Sequence, residues 1–174
     1  MAPKPRKDPS PPDLDEDAPP IEELGDLMDV VVVDRNWANE RAPRLSALRV
    51  ELRGCRLTGV ELAEATLRDV TFRDCRVDLA GLRNARLERV VFSDCRMSEC
   101  ELHGATLTDV LFERCELREA SLSNARLQRV EMRGCDLTGL AGGEALRGVR
   151  MPFADVLANA SVFASVVGVQ IADD

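Results

Sequence analysis

The chain has 174 residues, 31% of them charged, and a formal net charge of −8, which suits one domain with a tail rather than a fully packed globule. Aromatic residues make up only 3%, with one Trp and no Tyr, so base-stacking platforms and aromatic-lined ligand pockets have little to be built from. Six cysteines without a secretory leader read as reduced thiols, and the sequence predicts a cytoplasmic protein.

Residues 1–20 are proline-rich with alternating charge (PKPRKDPSPPDLDEDAPP), a composition that cannot bury enough apolar surface to offset its ordering entropy. A disordered tail is expected there. Residues 21–44 read as an N-terminal cap and a first irregular coil, with a short amphipathic helix and then a strand within Ile21–Val33, and with Trp37 as a plug for the open end.

From Leu45 onward the chain repeats every five residues, as in CRLTG, VELAE, ATLRD and VTFRD. Positions five apart on an α-helix lie about 140° apart, so a five-residue apolar repeat would smear around it. A plain strand fails too, because its side chains alternate with period 2 and an odd repeat reverses the apolar face at each unit. The simplest solution bends the chain after every short extended segment, and four bends close a coil of about twenty residues. Such a coil stacks like on like, and the sequence has that longer period. Val50, Val70, Val90, Val110 and Val130 form one column, and Cys55, Cys75, Cys95, Cys115 and Cys135 the next. The larger inward position gives Phe72, Phe92 and Phe112 on one side and Leu67, Leu87, Leu107 and Leu127 on another.

Units such as ATLRD, AGLRN, ATLTD and ASLSN resemble the A-(D/N)-L-x-x motif of the pentapeptide-repeat family, and nineteen successive units hold one register. The resemblance implies an all-β fold, a right-handed quadrilateral β-helix of about five coils, here over residues 45–151. The register fails after Gly139. Apolar residues from Phe153 to Val167 then recur at three- and four-residue spacing, predicting one capping helix within residues 152–174.

Evenly placed thiols invite thoughts of metal or redox chemistry, but the column wants a small apolar residue and buried free Cys behaves as one. The single His103 falls at an outward position without a nucleophile motif around it. No catalytic, cofactor or metal site is expected, and no membrane span. Two outward positions break the polar rule: Val91 and Leu111, stacked beside Thr71, are a candidate contact patch. Val156, Leu157, Phe163 and Val167 are a candidate interface for a homodimer through the C-terminal segment, as the family resemblance implies.

The sequence thus predicts a non-catalytic structural or protein-interaction module with a protein partner it does not identify. The resemblance also implies an alternative, a DNA mimic that binds DNA gyrase and protects it from fluoroquinolones. Charge disfavours it: residues 1–29 hold nine acids and three bases, against 22 and 20 in the rest, so the coils lack the acidic excess a mimic needs. The acidic balance and scarcity of aromatics also argue against direct nucleic-acid binding.

Overall fold

The computed structural model describes residues 4–14 and 21–172. Its β-strands run in chain order as β1 (Leu27–Val33), β2 (Ser46–Arg53), β3 (Thr66–Arg73), β4 (Arg86–Ser93), β5 (Thr106–Thr108), β6 (Leu111–Glu113), β7 (Arg126–Gln128) and β8 (Glu131–Arg133). Every pairing is parallel and offset by one coil, as in Val50 on Val70 and Phe72 on Phe92. The result is a parallel β-solenoid of about five coils, bound coil to coil by backbone hydrogen bonds such as Arg56 N–H to Arg35 O (2.8 Å) and Leu57 N–H to Arg76 O (2.6 Å).

The bend that resets parity is a single residue. Every fifth residue from Asp29 to Gly139 has a positive φ, between 51° and 63° for the non-glycines. Five of these corners are glycine, Gly54, Gly59, Gly104, Gly134 and Gly139, and glycine adopts that conformation without strain. At Gly104 the close approach matters as well, since a Cβ there would collide with Asn84 Oδ1 one coil below. Two corners of each coil are closed by a turn bond, as in Val60 N–H to Leu57 O (3.1 Å) and Ala65 N–H to Leu62 O (3.1 Å). The positive φ at Gly59 and Glu64, third in their turns, is the geometry of a type II turn.

Between corners the inward side chains form the expected ladders. Phe72 and Phe92 stack at 4.6 Å between ring centroids and Phe92 and Phe112 at 5.2 Å, nearly parallel. Such pairs contribute about 0.5–1.5 kcal/mol each beyond burial. The valine and cysteine columns are buried throughout, apart from the half-buried Val30 below Val50. Leu67, Leu87 and Leu107 are buried, and Leu127, in the last coil, is half-buried.

The N-terminal end differs from expectation. No helix forms in residues 21–33. The expected strand does form: LMDVVVV pairs in register with β2, because its alternating residues complete the twenty-residue period one coil before Leu45. Trp37 belongs to this first coil, its N–H donating to Arg56 O (2.8 Å), and is 1% exposed with Nε1 donating to Glu22 O at 2.9 Å, and Ile21 and Leu24 pack against the same core. The expected tail of residues 1–20 falls partly outside the described residues, at 1–3 and 15–20. Residues 4–14 have neither helix nor strand, yet they lie against the coils and are held there by hydrogen bonds.

At the other end the register breaks into a 3₁₀ turn at Gly143–Leu146, and Arg150 returns to cover the edge of β8 through Met132 N–H to Arg150 O (3.0 Å). The single capping helix expected from the spacing is two short helices, α1 (Phe153–Ala158) and α2 (Ala160–Val166), broken at Asn159. The break has a physical cause. Asn159 turns inward, accepts from Leu137 N–H (2.8 Å) and donates to Cys135 O (3.0 Å), supplying partners that a further coil would otherwise provide. Replacing Asn159 with Ala leaves both backbone groups buried and unpaired, and should lower the unfolding free energy by about 1–3 kcal/mol in urea titration. A change within the error of the parent would show that the cap closes the rod without this side chain.

Candidate interaction surface

One corner column alternates acid and base by coil: Asp29, Arg49, Asp69, Arg89, Asp109 and Arg129. Stacking turns that alternation into three two-pronged pairs. Arg49 holds Asp29 through Nε and Nη2, both at 2.5 Å, and Arg89 on Asp69 and Arg129 on Asp109 do the same at 2.7 and 2.8 Å. Asp69 and Asp109 are only 5% and 2% exposed, so these carboxylates are walled in by their arginines and by whatever lies over them.

What lies over them is the N-terminal arm. Lys7 N–H donates to Asp109 Oδ1 (3.0 Å), Ser10 N–H to Asp69 Oδ1 (2.9 Å) and Asp13 N–H to Asp29 Oδ1 (3.0 Å). Each step of three arm residues spans two coils. At about 4.8 Å per coil that is roughly 9.6 Å, against about 9.3 Å for one three-residue turn of polyproline II. A β-strand would turn every third N–H to the opposite side, whereas a helix of three residues per turn keeps them all on one side. The sequence KDPSPPD obeys this register, since the proline positions 9, 11 and 12 need no partner and the three docking positions carry amides.

The arm leaves a cleft of about 360 Å³ beside it. Pro9, Pro11 and Pro12 line it on one side, and Thr71, Val91 and Leu111 on the other. The candidate contact patch is therefore partly covered by the chain itself: Leu111 is 7% exposed and Val91 is half-buried. Val156, Leu157 and Val167 are exposed at the end of the rod, while Phe163 is half-buried against the core, where Val162 docks more deeply. The two groups of interface candidates thus occupy different places, a long side and an end, and do not form one surface.

The cysteines are free and buried. Within the column each sulfur lies 3.4–3.6 Å from a carbonyl oxygen of the coil below, as Cys95 does from Phe72 O. Burial pushes the Cys100 thiol up to about 12, which keeps it protonated. Among the described residues no cluster of His, Cys, Asp or Glu is arranged to hold a metal ion, and His103 is exposed. The sequence reading missed the Asp–Arg column and the arm. Acid and base alternating at twenty-residue intervals, and amide-bearing residues every third position among prolines, were the signals that could have found them.

Hydrogen bonds from Arg49, then from Asp13 N–H, hold the Asp29 carboxyl down to about 2. Arg89 and Arg129 lower Asp69 and Asp109, with the amides of Ser10 and Lys7 adding to the effect against the cost of burial. Carboxyls depressed in the folded state contribute stability that is complete above their unfolded value, about 3.9, and is lost as pH falls through the folded one. The amide resonances of Lys7, Ser10 and Asp13 should therefore hold steady from about pH 8 to 5 and move together below about pH 4. Movement between pH 5 and 8 would assign the docking to other groups.

The model of the pentapeptide repeat region matches residues 45–122 and 78–141. No curated protein matches. Among solved structures, a pentapeptide repeat protein from the Arabidopsis thaliana thylakoid lumen is 19% identical with a TM-score of 0.52, over 55% of this chain and 68% of that one. QnrB1, a plasmid-mediated fluoroquinolone resistance protein, is 9% identical over 80% of this chain and 100% of its own, with a TM-score of 0.47. HetL, involved in heterocyst differentiation regulation in the cyanobacterium Nostoc sp. strain PCC 7120, is 18% identical over 74% and 73%, with a TM-score of 0.33. At these identities the likeness concerns the fold alone. With its matched repeats covering more than half of the sequence, in the register that builds the coils, the chain belongs to the pentapeptide-repeat family.

Proposed function

We propose that the protein is a non-catalytic interaction scaffold whose recognition surface is the long side that carries the Asp–Arg column, Val91 and Leu111. The observation that supports this reading is the extended peptide segment already seated there, held by backbone amides on Asp29, Asp69 and Asp109. A rod of stacked coils offers such a segment acceptors at fixed intervals, which a mobile loop does not. Many acids of the coils are also engaged with arginine, as in Glu51 with Arg53 and Arg73, Asp94 with Arg114 and Asp136 with Arg118. Paired charges of both signs suit a contact surface with mixed electrostatics more than an imitation of the DNA backbone.

A homodimer through the exposed Val156, Leu157 and Val167 at the far end belongs to the same proposal, and would leave the long sides of both copies free. So does a cytoplasmic location. No helix among the described residues is long and apolar enough to cross a membrane.

The test is affinity capture from native lysate with the intact chain and with V91E/L111E, checked by circular dichroism for an unchanged melt. The scaffold reading expects a partner recovered near equal stoichiometry with the first and lost at least tenfold with the second. Equal recovery by both would move recognition off this side, and recovery of gyrase subunits with inhibition of supercoiling would favour the DNA-mimic reading instead.

A further inference from the structure

The arm's seat has the properties of a peptide-binding groove that reads backbone conformation. Its acceptors, Asp29, Asp69 and Asp109, recur every forty residues, hence every second coil, and each is fixed by a two-pronged arginine on the next coil. The repeat matches one turn of polyproline II and fits neither a β-strand, whose third N–H turns away, nor an α-helix, whose three residues rise only about 4.5 Å. Among the described residues the hydrogen bonds from the arm to the acceptors all come from main-chain amides, so the groove selects conformation and the positions of N–H groups before it selects side chains.

The arm also fits incompletely. The Arg6 side chain is only 11% exposed, yet its guanidinium turns back to Lys7 O and Asp8, and among the described residues its Nε has no partner. Among the described residues no side chain fills the cleft between Pro9, Pro11 and Pro12 and the side of the rod at Val91 and Leu111. An occupant with a larger apolar side chain at one of the proline positions would fill that space and need no buried cation.

We infer that this groove is a binding site for a proline-rich, polyproline II segment of a partner protein, with amide-bearing residues at every third position, and that the chain's own arm is a resident competitor for it. Tethering places the arm at an effective concentration on the order of millimolar, so a partner segment must either fit better or meet a chain whose arm has been drawn away. The inference rests on the reading of this side as the recognition surface. Failure here with partner capture intact would remove the groove's conformational code and leave the scaffold reading standing.

The test uses the full chain carrying K7P/S10P/D13P, which keeps the arm's preferred conformation and removes its three donors without touching the coils. The probe is a fluorescein-labelled peptide with the sequence of residues 4–14, followed by anisotropy. The triple variant should bind it saturably and at least tenfold more tightly than the parent chain, whose groove is occupied. A peptide carrying the same three prolines should bind the triple variant at least tenfold more weakly than the unmodified one. Absence of saturable binding up to about 1 mM, equal binding of the two peptides, or equal binding by parent and variant would overturn the inference. So would unlabelled parent chain competing as well as free peptide, which would assign the groove to a second copy.

Discussion

Two residues of every five can face inward along a continuous chain only if something reverses the parity of the backbone at each unit. Here that is one residue with positive φ at every fifth position from Asp29 to Gly139. Most of these corners are not glycine, and a left-handed conformation costs an ordinary residue roughly 1–2 kcal/mol. Eighteen such positions would be a heavy strain on a small fold, so the stacking they permit must offset it. It does so by repetition: each corner lines up one side of a coil with the same side of the next, which yields the inter-coil backbone bonds, the phenylalanine stack and the aliphatic ladders together. The corner and the ladder depend on each other, and neither is stable alone.

A stack of identical coils creates two problems at its ends and one opportunity on its sides. Ile21 and Leu24 pack against the core of the first coil, whose interior Trp37 fills, and Asn159 with α1 and α2 satisfies the last. On the sides, any residue in a corner column recurs at fixed height, so an alternation of acid and base becomes a line of ion pairs two coils apart. That interval is close to the rise of a polyproline II turn, and the coincidence lets a proline-rich arm lie along the rod with every third amide satisfied.

Much of this was legible in the sequence, and for one reason. The coils are periodic, and periodicity places Val50, Cys55 or Phe92 without any knowledge of contacts. The features that were misread are those where a non-repeated segment meets a repeated one. Ile21–Asp26 precedes the expected strand with residues that suit a short helix in isolation, but no helix forms there, and Ile21 and Leu24 pack against the core instead. Phe153 to Val167 has helical spacing, but the unsatisfied edge of the last coil draws Asn159 inward and breaks the helix. The arm's composition says only whether it can build a core. It has none to build, since it borrows the carboxylates of a surface formed elsewhere. Val91 and Leu111 stand out in the sequence as apolar residues at outward positions, while the segment beside them lies about 80 to 100 positions earlier and shares no pattern with them.

The coil depends on its left-handed corners, and Leu79 opens one of them to direct measurement. This residue has φ of 59° and is 53% exposed, so its side chain contributes little packing that a substitution would remove. Glycine in ordinary extended structure destabilises by roughly 0.5–1 kcal/mol, whereas glycine at a position held in the left-handed region relieves strain. The unfolding free energy of L79G, measured by urea titration beside the parent chain, should rise by about 1 kcal/mol. A fall of similar size would mean that the corners are not left-handed and that the coil closes by another route.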